Sequence, residues 1–144
     1  MKSALNLLLP RDKHDTDAAE ALVALGWEKL ERVMPQILEW MQDINWPVAA
    51  IFRPFLVAQG ARLAPCLKPI FAGDDDIWKY NILAGIVLQS PELASAISAE
   101  LERLVRSPTS GERQECVTEQ AEEILASWTG RPVAAGSGQS VDPR

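Results

Sequence analysis

Apolar residues recur at helical spacing from about residue 15 to residue 128, and no stretch shows the strict alternation of a half-buried strand. The first amphipathic segment begins at Asp15 to Asp17, where Asp17 and Glu20 have capping-box spacing, and stops at Gly26. Its stripe is Ala18, Ala21, Leu22 and Leu25. A second helix over 27–41 turns Leu30, Met34, Ile37, Leu38 and Met41 inward and Glu28, Glu31, Arg32, Gln36 and Glu39 outward, with Pro35 bending it. A third, capped by Asp43 or Asn45 and carrying Pro47 in its first turn, runs to about Val57. Gly60 separates it from a fourth, 61–71, which Pro65 and Pro69 kink or shorten.

The fifth helix, 77–89, carries Trp78, Ile82, Leu83, Ile86, Val87 and Leu88 and so little polar surface that protein should surround it. Ser90 as cap and Pro91 in the first turn open a sixth, with Leu93, Ile97, Leu101, Leu104 and Val105 inward. Thr109 and Glu112 have capping-box spacing before a last helix that turns Val117, Ala121, Ile124, Leu125 and Trp128 inward. From Thr129 the composition shifts to Gly, Ser, Pro, Ala and Val without periodicity, which reads as a flexible tail.

One pattern recurs across these helices. Asp43-Ile44-Asn45-Trp46 with Pro47 returns 32 residues later as Asp75-Asp76-Ile77-Trp78 with Lys79. Each copy closes one apolar helix and opens the next, and a period in the thirties built from helix pairs is the mark of an α-solenoid. The expected fold is all-α, a short right-handed solenoid of about seven helices. The expected layout is an extended segment over 1–14, a helical-repeat domain over 15–128 and the tail over 129–144.

Composition narrows the function classes. With 144 residues, 47% hydrophobic and 24% charged, the chain can bury a core without metals or disulfides. A net charge of −6 argues against nucleic acid, whose phosphates call for clustered Lys and Arg. The N-terminal apolar run is short, interrupted by Asn6 and followed by charge, so no signal peptide is read, and no stretch approaches the length of a membrane helix. Cys66 and Cys116 lack a metal-ligand or redox spacing and read as two reduced, buried thiols. These features together point to a soluble cytoplasmic protein with no cofactor.

Three spaced motifs carry a family resemblance: Leu8-Leu9-Pro10-Arg11-Asp12-Lys13-His14-Asp15, Trp40-Met41-Gln42-Asp43-Ile44-Asn45-Trp46-Pro47-Val48-Ala49 and Asp74-Asp75-Asp76-Ile77-Trp78-Lys79-Tyr80. With them the chain resembles, over about residues 7 to 127, a family of small bacterial proteins known as a domain of unknown function. The resemblance implies a helical domain similar to HEAT or armadillo repeats and supplies no activity or catalytic residue.

The candidate site residues cluster at the two echoed turns. Asp74, Asp75 and Asp76 offer hard oxygens to a divalent cation, but lack the ligand spacing and Gly turn of a calcium loop; the other reading has them charge-stabilising a helix start. Asp43 and Asn45 take the same capping role one repeat earlier. Trp46 and Trp78 read either as packing between repeats or, with Lys79 and Tyr80, as a rim offered to a partner. His14, the sole histidine, lies where an Asp can orient it, or where it tethers the N-terminal segment. Nucleophilic and nucleotide chemistry lack a motif. Two functions follow: an interaction module, adaptor or immunity-like, whose acidic surface binds a basic protein or peptide; and an enzyme or metal-binding protein in which Asp74–Asp76 converge with His14 or Asp43. Convergence of those carboxylates around a pocket would favour the second, and side chains that cap their own helices would count against it. Partner identity and oligomeric state are not written in the sequence.

Overall fold

Prolines and glycines set where the helices break. The computed structural model describes residues 8–129 and is all helical, with no strand among the described residues. α1 (Thr16–Leu25) leads to α2 (Trp27–Leu30), a 3-10 turn (Glu31–Val33), α3 (Met34–Glu39) and a second 3-10 turn (Trp40–Gln42). The helix expected over 27–41 is thus broken rather than bent. Pro35 has no N–H for the Glu31 carbonyl and its ring crowds that group, so the Met34 N–H bonds it instead and tightens the chain into 3-10 geometry. Its inward face survives the break, since Leu30, Met34, Ile37, Leu38 and Met41 are all fully buried.

The path continues through α4 (Pro47–Gln59), a 3-10 turn (Gly60–Leu63), α5 (Ala64–Ala72), α6 (Asp76–Gly85), a 3-10 turn (Val87–Gln89), α7 (Pro91–Ala96), α8 (Ser98–Arg106), α9 (Ser110–Gln114) and α10 (Val117–Thr129). Gly60 closes α4 with a φ of 62°, a left-handed conformation that suits glycine. The expected sixth helix divides at Ile97 into α7 and α8, and the last divides into α9 and α10. Cys116 lies at that second division with a φ of 65°, which costs a non-glycine residue about 1–2 kcal/mol.

Two caps match their sequence signals. Ser90 Oγ accepts from the Leu93 N–H at 3.4 Å, and Thr109 and Glu112 complete a reciprocal capping box. Two do not. α1 is capped by Asp15 rather than Asp17, because the Asp15 carboxylate accepts from the N–H groups of both Ala18 and Arg11. At α4 neither Asp43 nor Asn45 is the cap; Trp46 occupies that position without a side-chain bond, while Asp43 accepts from the Asn45 N–H at 2.9 Å within the preceding turn.

In the core, α1 packs on α4, α7 packs on the turn at Gly60–Leu63, and α10 lies against both α6 and α8. Ile82, Leu83, Ile86 and Val87 are fully buried, as the apolar run from α6 into the following 3-10 turn requires. α1 is rotated from its expected setting: Ala19 and Leu22 face inward, Ala18 is half-buried, and Ala21 and Leu25 are exposed. Trp128 is also exposed rather than inward. Neither cysteine is fully buried, Cys66 being half-exposed and Cys116 exposed, and both are free thiols. Ahead of α1, the Val48 N–H donates to the Lys13 carbonyl at 3.2 Å and ties the N-terminal segment to α4. Among the described residues no helix is long and apolar enough to cross a membrane. The expectations for residues 1–7 and for a tail over 130–144 lie outside the described residues.

Candidate functional site

The echoed turns lie side by side and are joined by side chains of α6. A helix that stops leaves its last carbonyls without N–H partners, and α3 with its following 3-10 turn stops at Gln42. Trp78 Nε1 donates to the Leu38 carbonyl at 2.9 Å, and Asn81 Nδ2 donates to the carbonyls of Met41 and Gln42, each at 3.0 Å. The second turn therefore closes the end of the helix that leads into the first. Trp46, half-buried, packs edge-on against Trp40 with ring centroids 5.7 Å apart.

The aspartates do not converge. Asp74 and Asp75 are exposed, and Asp75 caps its own helix by accepting from the Trp78 N–H at 3.0 Å. Asp76 turns toward Lys79, whose ammonium stands 2.8 Å from its carboxylate. His14 is exposed and engages through its backbone, its N–H donating to Asp12 Oδ1 and its carbonyl accepting from the Thr16 N–H. Asp15 is taken up by Arg11 and the α1 cap, which lowers its pKa from the usual carboxylate value, and it does not orient the imidazole. Among the described residues no group of three or more His, Cys, Asp or Glu is placed to hold a metal ion. The thiols are not activated either: burial, then Glu31, raises the pKa of Cys66, and a hydrogen bond to Glu119 leads the causes that raise that of Cys116.

Lys79 overturns the idea of a rim. It is 1% exposed, and its Nζ reaches Glu112 Oε2 at 2.7 Å as well as Asp76. Glu112, 0% exposed, also takes both guanidinium nitrogens of Arg103, at 2.7 and 3.1 Å, and the Thr109 N–H at 2.9 Å. Arg103 in turn donates to the Phe71 carbonyl at 3.1 Å, so α6, α8 and α9 meet at one carboxylate and α5 joins them through Arg103. Burial alone would raise the Glu112 pKa; hydrogen bonds from Arg103, Lys79 and Thr109 outweigh it and hold it at about 2. Burial likewise pulls the Lys79 pKa down, but Asp76 and Glu112 reverse this and raise it. Both groups stay charged, and the cluster is a structural clasp. Tyr80 is half-buried.

The Thr109–Glu112 spacing marks the capping box in the sequence but not the cations on α6 and α8 that converge on it. A lysine inside an otherwise apolar helix was the signal for a buried counter-charge, since lysine is almost never fully buried unless paired.

The profile of a domain of unknown function, DUF5071, matches residues 8–125. The chain belongs to that family. The match takes in both echoed turns and the Lys79–Glu112–Arg103 clasp, so in this DUF5071 chain the clasp lies wholly within the family's domain. No curated protein matches the chain.

Proposed function

We propose that this protein is an interaction module that binds a basic protein or peptide through an acidic surface. One observation carries the reading. The cations of the second turn and its neighbours are consumed internally, Lys79 and Arg103 by Asp76 and Glu112. The carboxylates after α9 and along α10, Glu115, Glu119, Glu122 and Glu123, form no ion pair among the described residues, and α10 contains no Lys or Arg. Glu122 shows the effect: partial burial, then repulsion from Glu119, raises its pKa. An uncompensated row of carboxylates is what a cationic partner neutralises, with gains in encounter rate and in selectivity.

The architecture we propose for this module is a short α-solenoid similar to HEAT and armadillo repeats, working as an adaptor or immunity-like protein in a bacterial cytoplasm. The contacts of Trp78 and Asn81 with backbone about 40 residues earlier support stacked neighbouring units. The test is capture on a peptide array at low and at higher salt. Preferential retention of Lys- and Arg-rich peptides that weakens as salt rises is the expected result. Equal retention of acidic and basic peptides would overturn it.

A further inference from the structure

We propose that the apolar groove along α1 is a seat for the chain's own N-terminal residues, with the side chains of Leu5 and Leu7 packed into it. This stands apart from the acidic-surface reading and concerns a different helix. The groove, of about 390 Å³, is lined by Leu8 and Leu9 of the entering segment and by Ala18, Ala21, Leu22 and Leu25 of α1. A helix that is apolar on nearly every side belongs in an interior. Yet α1 turns only Ala19 and Leu22 fully inward as it packs on α4, and leaves Ala21 and Leu25 exposed. The large hydrophobic side chains that stand exposed among the described residues are Leu8, Leu25, Ile77 and Trp128, and the first two line this one groove. Their meeting marks a face that calls for a cover.

Chain connectivity decides the occupant. Leu8 is itself part of the lining, Leu7 is the residue before it and Leu5 lies two further back, with consecutive Cα atoms about 3.8 Å apart. Both leucines start within reach of the groove. The way in is fixed as well, because the Arg11 N–H donates to Asp15 Oδ2 at 3.0 Å and the Lys13 carbonyl accepts from the Val48 N–H at 3.2 Å. Arg11 and Asp15, the charged residues of the lining, pair with each other at 3.5 Å, so the groove suits an apolar occupant rather than an ionic one. From Ala4 to Leu9 the only polar residue is Asn6, which matches that chemistry. A tethered segment also acts at a roughly millimolar effective concentration, which a free peptide or a second copy would have to outcompete.

The experiment is a double-mutant cycle on the full chain, read by thermal midpoint. Leu5→Ser with Leu7→Ser should lower the midpoint by at least about 4 °C, while Lys2→Ala should leave it unchanged. Ala21→Glu should lower it by at least about 2 °C in the parent, where the new carboxylate would lie under the leucines. In the chain that already carries both serines its effect should fall to less than about half of that, because the face is then open and glutamate is a good helix former. Ala21 is exposed on α1, so the substitution leaves the core untouched. An unchanged midpoint for the double-serine chain, or an equal cost of Ala21→Glu in both backgrounds, would overturn the proposal. A dimer in sedimentation that Ala21→Glu abolishes and the two serines do not would assign the groove to a second copy and overturn it too.

Discussion

The two tryptophan turns share their letters and differ in their mechanics. At the first, Trp46 is itself the N-cap of α4; at the second, Asp75 is the N-cap of α6 and Trp78 sits three residues into the helix. The copies are therefore three residues out of step with the helices they open. Pro47 begins α4 directly after the first tryptophan, whereas the second is followed by Lys79, a buried cation that binds α6 to α9. What recurs is the chemistry of stopping one helix and starting another. A sequence echo of this kind marks turns without promising that equivalent residues do equivalent work.

The strongest way to test the contrast is to remove the clasp that only the second turn possesses. Glu112→Ala leaves Lys79 buried without half its counter-charge and strips Arg103 of its carboxylate, and should cost about 3–5 kcal/mol in urea unfolding. Gly111→Ala should also destabilise, since an added Cβ would run into the Asp76 carboxylate and push it off Lys79. No single change at Asp43, Asn45 or Trp46 touches a comparable group.

The second test is pH. Glu112 has a folded pKa of about 2, below its usual value of 4.5. A depressed carboxylate contributes stability that is fully present above the unfolded value and is lost as pH falls through the folded one. Unfolding free energy should therefore drop between about pH 4.5 and 2, and Glu112→Gln should flatten that part of the curve. An unchanged slope in the variant would mean that other carboxylates drive acid unfolding.

Smaller effects separate the tryptophans and then the aspartates. Trp78→Phe keeps most of the ring but abandons the Leu38 carbonyl, and should cost about 1–3 kcal/mol. Trp46→Phe, which loses no hydrogen bond within the described residues, should cost less. Equal costs would erase the distinction between the turns. Asp75→Ala removes a true cap, worth about 0.5–2 kcal/mol, and should exceed Asp43→Ala, which removes only a bond within a turn. Thermal midpoints of the pair would show the order.

Much of this fold was legible because local chemistry dictated it. The inward set from Leu30 to Met41, the Ser90-Pro91 start and the Thr109–Glu112 box depend on neighbours in sequence, and the structure has them all. The failures share another cause. α1 is apolar on nearly every side, with Ala18, Ala19, Ala21, Leu22, Val23, Ala24 and Leu25, so its pattern did not specify which way it faces α4. Lys79 reads as surface because the buried carboxylate that pairs with it, Glu112, arrives from 33 residues away on α9. Trp128 stands exposed where periodicity turns it inward, because periodicity places a residue on a face but does not say whether a neighbouring element reaches it.

The clasp also limits how this chain can change over generations. Glu112 serves at once as the reciprocal half of the α9 capping box, whose cap is Thr109, and as the shared counter-ion of Lys79 and Arg103, so losing any one of the three charged groups leaves the others in a worse state than before. Drift at these positions is coupled: a lineage that loses the carboxylate at 112 survives best by replacing the lysine at 79 as well, with apolar side chains filling both places. Across the family, positions 79, 103 and 112 should therefore vary together or not at all, whereas Asp43 and Asn45 are free to wander one at a time.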